Sequence, residues 1–95
     1  MTGNGTVRIG VVGVGVMGSN HARVLSDIPG VELVGVADPD RKRRDFVAGT
    51  LGCARFDDVD ALLASGVDGV TIAAPTHLHH DIALKCIARG VHLLV

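Results

Sequence analysis

Along this chain, short runs that are apolar at almost every position alternate with longer segments in which apolar residues recur at helical spacing. Runs of the first kind suit strands covered on both faces, and segments of the second kind suit helices with one buried stripe. After a small polar tail, Met1 to Thr6, the pattern predicts a strand from Val7 to Gly13. A helix follows from Gly18 to about Ile28, closed by Pro29-Gly30. A second strand, Val31 to Asp38, leads through Pro39-Asp40 into a charged helix that runs to about Leu51 and stops at Gly52. Cys53 to Phe56 is a short third strand. Asp57 or Asp58 caps a third helix through Ser65, with Asp60 adding negative charge in its first turn and Gly66 ending it. Gly69 to Ala74 is the fourth strand. Thr76 caps a fourth helix in which Leu78, Ile82, Ala83 and Ile87 share a face, and Gly90 ends it before a fifth strand, Val91 to Val95.

The resulting order is β-α-β-α-β-α-β-α-β. Strands apolar on both faces, joined by crossover helices, imply an α/β fold: an open parallel sheet with right-handed connections and helices on both faces. We expect five strands in the order 3-2-1-4-5, within one domain spanning residues 7–95 after the flexible tail 1–6. The chain shows no internal repeat and no linker.

The junction of the first strand and first helix reads Gly13-Val14-Gly15-Val16-Met17-Gly18. A G-x-G-x-x-G pattern alone is weak, but between a strand and a helix it is much more specific. Gly13 permits the tight turn, Gly15 lets backbone approach a pyrophosphate, and Gly18 lets the helix pack closely on the sheet. The exposed amides of the helix start, with the positive end of its dipole, favour an anionic ligand. Asp38 stands 20 positions beyond Gly18 at the end of the second strand. A carboxylate there accepts hydrogen bonds from an adenosine ribose and repels a 2′-phosphate, which favours NAD over NADP. Arg41, Lys42, Arg43 and Arg44 follow at once, and a guanidinium in that run, Arg43 above all, is the alternative that would hold the phosphate of NADP. The plainer readings are a loop or cap aspartate for Asp38 and a solvated helix face, with Arg41 paired to Asp45, for the basic run.

Charge and composition remove other classes. Nine basic and ten acidic residues leave a net charge of −1, which is no footprint for nucleic acid or an anionic membrane. The apolar runs are interrupted by glycine or charge far short of the ~20 residues that span a bilayer, so a soluble chain is expected. Cys53 and Cys86 lie far apart, with no C-x-x-C and no secretory leader ahead of them. They predict reduced, buried thiols in a cytoplasmic protein. A chain this short buries only roughly 60–65% of its unfolded surface, so its core is expected to be modest.

Residues 75–81, PTHLHHD, raise a metal reading, because His77, His79 and Asp81 match the H-x-H-x-D opening of a binuclear zinc motif. Such a site wants another histidine where Ile82 stands, and a helix start separates His77 and His79 onto different faces. A bland reading makes all three histidines polar first-turn residues. The better fit is a loop at the carboxyl end of the fourth strand, bordering the crevice where an open parallel sheet binds its ligand, with Thr76 or His79 touching a cofactor. His21 reads as a helix-packing residue.

Three stretches together carry a family resemblance: I-G-V-V-G-V-G-V-M-G-x-x-H-A-x-x-L from Ile9, V-A-D-P-D from Val36, and A-A-P-T-x-x-H-x-x-x-A-x-x-x-x-x-x-G-V-H-L-L-V from Ala73. Over nearly its whole length the chain resembles the amino-terminal, Rossmann-type domain of the Gfo/Idh/MocA oxidoreductases, the family of glucose–fructose oxidoreductase and inositol dehydrogenase. The resemblance implies that Gly13, Gly15, Val16, Met17 and Gly18 bracket the pyrophosphate. It places Asp38 and Arg43 at the adenosine ribose, and Ala74, Pro75, Thr76 and His79 near the nicotinamide ribose. Many relatives carry Asn where this chain has Thr76. In the family, a Glu-Lys-Pro segment and a larger substrate domain follow the position of Val95, and those parts supply the sugar or polyol contacts and usually an acid/base histidine.

The expectation is therefore an NAD(P)-binding domain of a dehydrogenase acting on a secondary hydroxyl of a sugar, a polyol such as inositol, or a nucleotide sugar. The wording of the motifs is most similar to nucleotide-sugar 3-dehydrogenases and inositol dehydrogenases. No catalytic residue is assigned within these 95, and the chain alone is expected to bind cofactor without catalysing turnover. An open edge at the fifth strand would favour self-association. The alternatives are a non-catalytic NAD(H)-sensing or interaction module, and, behind it, a methyltransferase, whose loop usually wants glycine where Met17 stands.

Overall fold

The computed structural model of the chain describes residues 6–94. The expected strand end at Val95, and the expected tail apart from Thr6, lie outside the described residues. The elements are β1 (Val7–Val12), α1 (Val16–Ser26), β2 (Val31–Ala37), α2 (Arg41–Leu51), β3 (Ala54–Phe56), α3 (Val59–Ala64), β4 (Gly69–Ile72), a 3-10 turn (Thr76–Leu78), α4 (His79–Ala88) and β5 (His92–Leu94). Every strand pairing is parallel and the sheet order is β3-β2-β1-β4-β5, as the patterning predicts. The chain winds outward from β1 to β3, then crosses back over β1 to place β4 on its other side. The crossovers thus diverge above β1 and β4, which is where an open parallel sheet forms its ligand crevice.

Alternate side chains of the strands feed two cores. Val12, Ala37, Val70 and Ile72 pack with Leu62 and Leu63 of α3 and with Ile82 and Cys86 of α4. Val11 and Val36 point the other way and pack with Ala22 of α1 and with Val47 and Ala48 of α2. Each fully buried branched side chain, such as Leu62 or Val11, contributes about 1.5–3 kcal/mol relative to exposure. The amino ends of the strands are closed by Arg8. Its amide donates to Asp68 (2.8 Å), and its guanidinium reaches Glu32 (3.1 and 3.2 Å) and the Gly66 carbonyl (3.0 Å). Only the carboxyl ends of the strands are left to form the crevice.

The structure corrects several local expectations. Helix α1 begins at Val16 rather than Gly18, so Gly18 lies inside its first turn. Strand β4 stops at Ile72 rather than Ala74, because Ala73 and Ala74 already turn toward α4. Thr76 caps nothing: it opens a 3-10 turn that follows Pro75, and no side-chain cap bond forms there or at α4. Within α4, Ile82 and Cys86 stand four residues apart on the buried face, whereas Ile87, five residues beyond Ile82, falls about 140° round the helix and is exposed, as is Leu78 in the 3-10 turn, so the four expected apolar residues do not share one face. Asp58, not Asp57, caps α3 by accepting from the Ala61 amide at 2.9 Å. Both thiols are free, with Cys86 buried and Cys53 half-buried, and burial raises the pKa of each above the ordinary thiol value.

Candidate functional site

The turn between β1 and α1 is shaped by what its glycines lack. Gly13 has φ +91°, a conformation that side chains rarely adopt, and a Cβ there would lie 2.7 Å from the Ala74 amide nitrogen. A Cβ on Gly18 would drive into the Gly13 carbonyl oxygen, so the first turn of α1 rests directly on the turn backbone. Gly15 differs: among the described residues nothing lies within 4 Å of where its Cβ would be. Space stands over Gly15 beside an uncapped helix end. The first bond of α1 runs from the Ser19 amide to the Gly15 carbonyl (2.9 Å), which leaves the amides of Val16, Met17 and Gly18 without intrahelical acceptors. Val16 and Met17 flank this end with exposed side chains.

Asp38 follows β2 directly and is 5% exposed. One carboxylate oxygen accepts the Val14 amide at 2.8 Å and the other accepts the Asp40 amide at 2.7 Å. The glycine turn and the end of β2 are therefore tied through a single side chain. A carboxylate offers about four acceptor positions, so capacity remains for hydroxyl donors approaching from the crevice. Sequence patterning places an acid here, but it gives no sign that the same acid holds the neighbouring turn.

The basic run divides by depth. Arg43 is exposed and sits 3.6 Å from both the Asp38 and the Asp40 carboxylates. Asp40 caps α2, accepting the Arg43 amide at 3.1 Å, and that bond holds its carboxyl below the ordinary aspartate pKa. Such a group stabilises the helix above its unfolded pKa of 3.8, and the contribution fades only as pH falls through the lower folded value. Arg44 is buried, so the expected solvated face is corrected at this position. The expected Arg41–Asp45 pair is corrected too, because Asp45 is held by Arg44 (3.3 Å) and Arg55 (3.5 Å).

On the far side of the crevice, Ala74, Pro75 and Thr76 form the path from β4 to α4. The His79 ring reaches back, its Nε2 lying 2.7 Å from the Ala74 carbonyl, with Nε2–H the donor in that contact. His79 thus ties the path to α4, whereas His77 and His80 are exposed. Among the described residues, no three His, Cys, Asp or Glu side chains converge as a metal-binding set. His21 packs beside Val24, Leu25 and Thr71, and its Nδ1 is buried without a hydrogen-bond partner among the described residues.

A crevice of about 460 Å³ joins the two sides, lined by Gly13, Asp38, Pro39 and Arg43 on one and by Ala74, Pro75 and Leu78 on the other. Asp57, Asp58 and Asp81 add acidic groups to its wall. A second groove, of about 510 Å³, lies between α1 and α2, with Ser19, Asn20, Phe46 and Thr50 on its walls. Gly15 and Val16 line only this second groove, and Arg43 borders both. The sequence-predicted residues thus gather at one end of the sheet around two cavities. No helix among the described residues is long and apolar enough to cross a membrane.

Comparison with known proteins agrees with this geometry. Over 93 residues the chain is 41% identical to an inositol 2-dehydrogenase from Saccharopolyspora erythraea, covering 94% of this chain and 28% of that protein. It is 43% identical over 89 residues to a UDP-N-acetylglucosamine 3-dehydrogenase from Acidithiobacillus ferrooxidans, again 94% of this chain and 28% of the other. The crystal structure of GenD2 from gentamicin A biosynthesis, in complex with NAD, superposes with a TM-score of 0.90 at 36% identity, over 95% of this chain and 26% of that one. The chain spans a little over a quarter of the curated relatives it matches. Residues 7–95 match the family model described as an oxidoreductase family with an NAD-binding Rossmann fold, and the chain belongs to that family.

Proposed function

We propose that residues 7–95 are the cofactor-binding domain of an NAD-dependent oxidoreductase that moves hydride between nicotinamide and a secondary hydroxyl of a sugar, a polyol such as inositol, or a nucleotide sugar. The observation that carries this reading is the pairing of open space over Gly15 with the braced, nearly buried carboxylate of Asp38 beside it. These residues fit a dinucleotide. The amides of Val16, Met17 and Gly18, with Gly13 and Gly15 keeping side chains out of the way, would hold the pyrophosphate. Asp38, with Arg43 at its mouth, would take the adenosine ribose. Ala74, Pro75, Thr76 and His79 would border the nicotinamide ribose, with the His79 ring in contact with the Ala74 carbonyl.

When bound, the nicotinamide accepts or donates hydride. This chain's own residues would bind and orient it, and we assign no acid or base among the described residues, so turnover would call for further groups. NAD is favoured over NADP, because Arg43 is already shared between Asp38 and Asp40 and the crevice carries three more carboxylates. Leu94 of β5 and Ile87 of α4 are exposed, which supports self-association of this chain.

Titration with NADH, followed by its fluorescence and by calorimetry, tests the reading. Saturable binding with NADPH weaker is expected, and no heat with either nucleotide on folded material would falsify it. S-adenosylmethionine binding without a dinucleotide response would move the chain to the methyltransferase alternative.

A further inference from the structure

We propose that Arg44 is a positioning residue that sets the posture of Asp38 toward the ribose, with Asp57 as the outer anchor of the brace. This inference rests on the dinucleotide reading above. Among the described residues, Arg44 joins Asp38 and Thr71 as a buried polar or charged residue, although it belongs to an otherwise exposed basic run. Its side chain is 9% exposed, against 56% for Arg43. A guanidinium is held at that depth only when its donors are matched. Here one arm donates to the Asp57 carboxylate at 2.5 Å and to the Asp38 carbonyl at 3.4 Å, and Nε donates to Asp45 at 3.3 Å.

Those acceptors lie on different segments, and two of them, Asp38 and Asp57, line the crevice. Asp38 ends β2, Asp57 stands in the turn between β3 and α3, and Asp45 is on Arg44's own helix. The Asp38 side chain is already drawn toward the glycine turn by the Val14 amide. Its backbone is held separately, by its amide's bond to the Phe56 carbonyl (3.4 Å) and by Arg44 on its own carbonyl (3.4 Å). Arg44 is thus the side chain that holds the Asp38 backbone while the Asp38 carboxylate holds the glycine turn. A planar fork with several fixed donors can serve two acceptors on separate segments, whereas the ammonium of lysine is a single flexible point.

The test compares NADH with its 2′-deoxyadenosine analogue, by fluorescence titration, in the unaltered chain, Arg44→Lys and Asp57→Asn. In the unaltered chain, loss of the 2′-hydroxyl is expected to weaken binding about tenfold. In both variants NADH should weaken while the analogue changes little, so that the penalty shrinks to about twofold. A merely structural role would weaken both ligands alike and keep the tenfold ratio, and that result overturns the proposal. Asp57 is 86% exposed, so Asp57→Asn gives the answer even where Arg44→Lys fails to fold. Absence of NADH binding by the unaltered chain sinks the dinucleotide reading and this proposal together, whereas bound NADH with an unchanged ratio sinks this proposal alone.

Discussion

The two sides of the crevice are built differently. On the side of Gly13 and Asp38, backbone is cross-linked through a buried carboxylate, a bond from the Gly13 amide to the Ala37 carbonyl (2.8 Å), and the Arg44 brace. On the side of Pro75, Thr76 and Leu78, the chain runs through an exposed 3-10 turn beside which, among the described residues, the His79 ring contacts the Ala74 carbonyl. The difference teaches where this chain can supply affinity without help. Groups already held in place lose little freedom when a ligand arrives, so on the proposed reading the residues for the adenosine and pyrophosphate half are pre-organised and those for the nicotinamide half are held by fewer bonds. On that reading, a domain so divided would anchor one end of a long ligand and present the reactive end to other groups.

Four substitutions would break or sharpen that contrast. Gly18→Val should have the largest effect, because its side chain would occupy the space of the Gly13 carbonyl. A loss of about 3 kcal/mol or more is expected, read as a collapsed thermal transition. Gly15→Val, three residues away, should leave the melting temperature within a few degrees yet weaken NADH binding by about a hundredfold, since the added atoms meet only the open space. Equal effects of the two on stability would remove the distinction between a packing glycine and a clearance glycine.

Asp38→Ala comes next, and it should act twice. NADH affinity falls by about 1–3 kcal/mol, with NADPH spared or improved, and stability falls by about 1–3 kcal/mol because the Val14 and Asp40 amides lose their acceptor. A variant that binds less tightly but melts unchanged would show that the carboxylate does not hold the turn. Thr76→Ala should be smallest: on an exposed turn with no cap bond, it should alter NADH affinity less than about twofold in this chain, and a tenfold loss would show the nicotinamide side to be as pre-organised as the other.

Legibility followed the same divide. The strand order, the glycine turn and Asp38 were readable because each depends on a local requirement: apolar faces for a covered sheet, missing Cβ atoms for a tight turn, an acid at a strand end. The start of α4 was misread for an equally local reason. Thr76 has the composition of a cap, but the chain passes through Pro75 and a short 3-10 turn first, so α4 begins two residues later, at His79. Within Arg41-Lys42-Arg43-Arg44, nothing in the residue types marks the fourth member as buried.

By itself, the order of amino acids determined that this chain forms a parallel α/β sheet with a tight glycine turn and a neighbouring acid, because hydrophobic period and glycine spacing act over a few residues. Only the tertiary structure decided which charges are partnered and at what depth. Arg44 meets Asp57 across 13 positions, and Asp38 meets the Val14 amide across 24. Such contacts depend on how the crossovers bring separate segments together, and a distance through space is not written in any one of them.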